Sequence, residues 1–122
     1  MNRKREFGAI TQILAVVEGY KAFPVQVADT GVTAGTDGRK IIPAGTPVGG
    51  ATSYKDDPAT KLTVVSDDTV QGVLLHDTDV TDGAGNGTLL VDGYVNTNRL
   101  GKVTISDDVK TALAGKVDFV NR

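Results

Sequence analysis

Residues 70–96 read VQGVLLHDTDVTDGAGNGTLLVDGYVN, and the division of this stretch into apolar runs and turn residues sets the fold class. Residues 70–75, 88–91 and 94–96 are short runs built around Val and Leu, with Asp68, Asp77, Gly87, Asp92 and Gly93 at or close to their ends. Runs of this length suit strands, because a helix with a buried face needs about 10 or more periodic residues. Strict alternation over the first run places Val70, Gly72, Leu74 and His76 on one face, with Gln71, Val73 and Leu75 on the other. The residues between the first two runs read as a loop, in which Gly83, Gly85 and Gly87 permit positive φ.

The rest of the chain has the same character. Val, Ile and Thr make up 37 of the 122 residues, and their branched side chains fit a pleated sheet better than a helix. Asp outnumbers Glu by 13 to 2, which favours turns, since Asp bonds its own backbone where Glu extends helices. The length allows one domain. The absence of Cys excludes disulfides, thiolate metal sites and a Cys nucleophile, and a single His excludes a multi-histidine centre within one chain. The net charge of −2 argues against a general nucleic-acid binder. No apolar run approaches a membrane span, and no cleavable apolar segment follows the basic start, so neither a membrane segment nor a signal peptide is expected.

Outward toward the N-terminus, residues 1–35 read as an arm carrying the first strands. Arg3, Lys4 and Arg5 cluster at its tip, followed by Phe7 and an apolar run with Ile10, Ile13, Leu14, Val16 and Val17. Positions 10, 13, 14 and 17 fit a helix face, whereas the β-branching favours extended structure. Residues 23–27 (FPVQV) read as a short strand whose Pro24 marks an edge or a start. The small, polar residues 31–38 read as a loop or flexible joint. On this division residues 36–122 form a compact β body, and residues 1–35 either dock on a partner or are an ordinary first strand with a frayed end. The basic tip suits a solvated end or an acidic protein surface better than nucleic acid, where three charges give only salt-sensitive attraction.

Within the body, Asp37-Gly38 is a turn signal before residues 39–42, and residues 46–48 and 62–65 read as strands. Toward the C-terminus lies the one good helix, residues 107–114. Ser106 caps it, Asp107 and Asp108 sit at the positive end of its dipole, Val109, Ala112 and Leu113 share a face, and Gly115 fits the left-handed position beyond the end. Residues 117–120 read as a closing strand.

Chemistry is scarce. Asp77, Asp79 and Asp82 are the only metal candidates, as oxygen donors for a hard cation, but their spacing departs from an EF-hand and Asx-turns explain them without a metal. His76 has no partner serine in any nucleophile motif, the serines being Ser53, Ser66 and Ser106. The glycines at 83–87 lead into a strand instead of a helix, unlike a phosphate cradle. No catalytic residue, no cofactor and no enzymatic activity are expected.

Two ordered stretches carry a resemblance. These are DGRKIIPAGTPV at residues 37–48, and GVLLHDTDVTDG at 72–83 continued by NGTLLVDGYVN at 86–96 and Arg99-Leu100. Together they resemble the head decoration and head-fibre proteins of tailed bacteriophages and prophages. That resemblance implies a structural virion protein on the outer surface of the head, made in the bacterial host cytoplasm and bound to the major capsid protein as a homotrimer. Such a protein stabilises the capsid lattice. The implied fold is mainly β, a small barrel or sandwich-like (β-tulip-like) body with one short C-terminal helix and an extended N-terminal arm. The capsid contacts then fall on Arg3, Lys4, Arg5, Phe7, Ile10, Ile13, Leu14 and Val16. The rival expectation is a small β carbohydrate- or peptide-binding module of a phage tail or cell surface, weakened by six aromatics and no Trp.

Overall fold

The computed structural model describes residues 13–15, 19–57, 59–101 and 103–121. Among them lie eight strands: β1 (Lys21–Ala28), β2 (Ile41–Ile42), β3 (Pro47–Gly49), β4 (Lys61–Val64), β5 (Val70–Leu74), β6 (Thr78–Asp79), β7 (Ala84–Asn96) and β8 (Val117–Val120). One short helix, α1 (Asp107–Leu113), precedes β8.

Five of the strands close into a barrel in the order β1-β4-β3-β5-β7, with β7 returning to β1. The closing ladder is antiparallel and runs from Lys21↔Asp92 to Ala28↔Ala84. On its other edge β7 meets β5 at Val73↔Leu90 and Leu74↔Leu89. Beyond the barrel, its last residues pair in parallel with β8, from Gly93↔Val117 to Asn96↔Val120. Parallel neighbours need a crossover, and α1 supplies it. A two-stranded ribbon of β2 and β6 stands apart from the barrel sheet.

The chain thus forms a mainly β barrel with one short C-terminal helix, the β content being what the composition predicts and the helix what its local signals predict. The 84–96 stretch differs from expectation, being one strand of 13 residues instead of a glycine loop and two short strands. Its glycines serve close packing there. Gly87 is buried, and a Cβ on Gly85 would fall 2.1 Å from the Asp79 carbonyl oxygen.

Two cores follow from the pleat. Val25, Val27, Val48, Leu62, Leu74 and Leu89 fill one, and Val73, Leu90, Val95, Val109, Leu113 and Val117 belong to the other. Adjacent residues, Val73 and Leu74 or Leu89 and Leu90, therefore face opposite cores, one inside the barrel and one between its wall and α1. Burial on both faces explains why these runs are continuously apolar.

Two register shifts break the simple alternation, one between Lys21 and Ala22 against β7 and one between β3 and β5. In the second, a β-bulge, Val48 pairs with Gly72 but Gly49 with Val70, so Gln71 is the extra residue. The bulge reverses the phase of the strand before it. Val70 therefore joins Val73 and Leu75 in the outer core, away from Leu74. His76, placed with Leu74 by alternation, is exposed at a bend.

The N-terminal reading needs a larger correction. β1 is a wall of the barrel, so the body cannot close from residue 36 onward. Ile13 and Leu14 are 0% and 3% exposed, packed in the outer core with Val95 and Leu100. Leu14 bridges Val95 antiparallel, Ala15 N–H donates to the Tyr94 carbonyl at 2.8 Å, and Asn96 N–H donates to the Ile13 carbonyl at 2.7 Å. The extended conformation there agrees with the β-branching, and these two side chains are buried in the protein's own core. Residues 31–38 are held in turns, with Gly38 N–H donating to the Gly35 carbonyl and Lys40 Nζ meeting Asp29 Oδ2 at 2.8 Å across the loop.

The helix matches its local signals. Ser106 Oγ accepts from Val109 N–H at 3.3 Å, Val109 and Leu113 are its buried residues, and Gly115 has φ +81°.

Two substitutions test this packing. Leu14→Ala should lower the unfolding free energy by about 2–5 kcal/mol in a urea titration, the range for emptying a buried site. A mobile arm would leave the transition unchanged. A Cβ on Gly72 would lie 2.4 Å from the Leu90 carbonyl oxygen, so Gly72→Ala should cost about 3 kcal/mol by the same measurement.

Candidate interaction surface

The carboxylates singled out in the sequence serve separate turns. Asp77 Oδ1 accepts from Ala44 N–H at 2.8 Å, tying the 43–46 turn to the end of β5. Asp79 Oδ1 accepts from both the backbone N–H and the hydroxyl of Thr81, and its Oδ2 meets Arg39 at 3.3 Å. Asp82 is exposed beside the positive-φ Gly83. Among the described residues no three His, Cys, Asp or Glu side chains gather where a metal could sit. His76 contributes its carbonyl to Thr78 and is otherwise an exposed side chain.

Of the capsid-contact candidates, Ile13 and Leu14 are buried as described above. Arg3, Lys4, Arg5, Phe7, Ile10 and Val16 lie outside the described residues.

The surface feature that emerges instead is a groove of about 390 Å³ between β1, the 53–55 loop and the end of α1. Its aromatic wall starts from β1. Phe23 shares a strand face with Val25 and Val27, whose side chains fill the barrel interior, but it stands past the end of that core and is 48% exposed. Its ring meets that of Tyr54 at 5.5 Å between centroids, tilted by 42°. Tyr54 and Val91 pack on the same core, whereas Val70, Ala112 and Leu113 belong to or pack on the outer one, so the groove runs from the mouth of the barrel to the end of α1.

The bulge at Gln71 builds the opposite wall. Its side chain reaches across to the 50–54 segment, accepting from Tyr54 N–H at 2.9 Å and donating to the Thr52 and Gly50 carbonyls at 2.8 and 3.3 Å. Three lysines, Lys21, Lys55 and Lys116, face one carboxylate, Asp92, in the lining. Lys21 and Asp92 approach to 4.0 Å, both well exposed, and Lys55 Nζ lies 6.0 Å from the Tyr54 ring centre. A second, shallower groove of about 350 Å³ lies where Pro47, Val64 and Val103 meet, with Val64 42% exposed.

Sequence reasoning passed over the first groove. The alternation of Phe23 with Val25 and Val27 was a usable signal, because it aims the aromatic into the barrel axis. Where the barrel ends was not legible, since that depends on β4 reaching only Gln26 and Val27.

Three carboxylates are held below their ordinary range. For Asp29 the leading cause is the Lys40 hydrogen bond, and for Asp67 and Asp79 it is the hydroxyl of Thr69 and of Thr81 respectively. Compared with known proteins, the chain matches no family model and no curated sequence.

A lowered folded pKa stabilises the fold above the unfolded value and loses that effect as the pH falls through the folded one. Asp29→Asn should therefore melt below wild type at pH 5–7, and the two should converge as the pH drops below the ordinary carboxylate value of 3.8. Melting curves against pH measure this. Adding a chelator at pH 7 should leave the melting temperature unchanged, because Asp77 and Asp79 already have protein donors.

Proposed function

We propose that the chain is an auxiliary decoration protein on the outer surface of a tailed-phage head, stabilising the lattice of the major capsid protein as a homotrimer. The observation that carries this reading is the interlocking of the two stretches on which the resemblance rests. Ile41↔Asp79 and Ile42↔Thr78 pair them. Gly45 N–H donates to the Leu74 carbonyl at 2.6 Å, and Leu74 N–H donates back to the Thr46 carbonyl at 3.0 Å. The resembling stretches thus supply the β2–β6 ribbon and most of β3, β5 and β7 of the barrel, while β1 and β4 lie outside them.

The burial of Ile13 and Leu14 moves the proposed docking contacts to the basic tip and to the exposed barrel surface. A trimer on a symmetric lattice binds through three simultaneous contacts, so modest single contacts become durable. The second reading, a small carbohydrate- or peptide-binding module, draws on the exposed Phe23–Tyr54 pair at the barrel mouth.

The decisive measurement is co-sedimentation with purified phage capsids, alongside the mass of the free protein by light scattering. The decoration reading expects saturable binding in multiples of three and a trimer mass, in solution or on the capsid, of about three times 12.7 kDa. A monomer that stays in the supernatant overturns it.

A further inference from the structure

We propose that the barrel-mouth groove docks a short acidic peptide segment in which an apolar side chain lies between carboxylates. The proposal rests on the groove's own residues and is independent of the capsid reading. The two rings of Phe23 and Tyr54 meet at 42°, forming a cleft instead of a flat platform. A cleft of this kind takes an apolar side chain, whereas a sugar ring stacks on a flat aromatic face. The one side-chain amide of the lining is already engaged, while the Ser53 hydroxyl and the Asp92 carboxylate are used only in part. The Gln71 amide holds the 50–54 segment at both its oxygen and its nitrogen, and Ser53 Oγ accepts from Lys55 N–H at 3.1 Å. Asp92 faces Lys21.

The excess charge that stays available is cationic, with Lys21, Lys55 and Lys116 set against Asp92. Among the described residues no carboxylate lies within ion-pair distance of Lys55 or Lys116, and both are exposed at the groove. Positive charge gathered here, on a chain of net charge −2, is complementary to carboxylates. Strand addition is not the mode of capture. Beyond the β4 pairing at Gln26 and Val27 the outer edge of β1 carries Pro24, which has no N–H to give to a ladder. Recognition therefore runs through side chains, with the aromatic pair as anchor and the lysines at the rim.

The test is a ¹H–¹⁵N titration of the full chain with the capped peptide Asp-Leu-Asp-Phe-Asp, its Asn counterpart, and an oligogalacturonate as an acidic sugar. The proposal expects saturable shifts at residues 21–23, 53–55 and 112–116 with the acidic peptide. The Asn peptide and the sugar should bind about tenfold more weakly, and the double variant Lys55→Ala/Lys116→Ala should lose about tenfold in affinity for the acidic peptide. Phe23→Ala should lose a similar factor, with the rest of the spectrum unchanged to show that the fold is intact. Equal binding of the Asn peptide, tighter binding of the sugar, shifts centred elsewhere, or no saturation by the acidic peptide would each overturn it.

Discussion

The antiparallel ladder between β1 and β7 is the contact on which the other parts depend. It joins a strand near the start of the described chain to one beyond residue 83, pairing eight positions from Lys21↔Asp92 to Ala28↔Ala84. Without it, the remaining barrel strands form an open sheet in which this face of β7 is an unpaired edge, prone to pairing with another chain. With it, the sheet becomes a tube whose inner face is sealed by Val25, Val27, Leu74 and Leu89. The length of β7 then has a second use. Its last residues extend past the tube and pair with β8 on one edge and with Leu14 on the other.

The outer core grows on that extension. Val109 and Leu113 of α1, Val117 of β8, and Ile13 and Leu14 all pack with Leu90 and Val95. Two ends of the chain are in this way held by one strand, which is why removing Leu14 should destabilise the whole protein. The closeness of these layers also explains the glycine at position 72, where the neighbouring backbone carbonyl of Leu90 leaves no room for a side chain.

The bulge at Gln71 links the fold to the surface. An extra residue in β5 frees one amide side chain to hold the 50–54 segment, and that segment presents Tyr54 against Phe23. The barrel mouth is therefore shaped by a local irregularity in a strand, as bulges commonly re-aim side chains near sites of interaction. The same geometry brings Lys21, Lys55 and Lys116 together from β1, a loop and the residues after α1.

By itself the sequence determined what is local. The β-branched runs, the Asp-rich turns and the Ser106–Gly115 helix signals each act within a few residues, so composition and spacing suffice to read them. Asp79 as a turn-former was equally legible, because its Asx-turn bonds Thr81 two residues on, whereas Asp77 bonds Ala44, a partner that only the fold brings near. Only the tertiary structure decided the rest. The merging of the 84–96 residues into one strand depends on a partner about 60 positions away, since a glycine-rich segment is held extended by pairing and not by its own propensity. The phase of Val70 depends on a bulge that exists only against β3. The apolar run at residues 9–17 reads the same whether it meets a capsid or its own barrel, and the gap beside Val95 and Leu100 that receives Ile13 and Leu14 exists only once α1 and β8 have packed on β7.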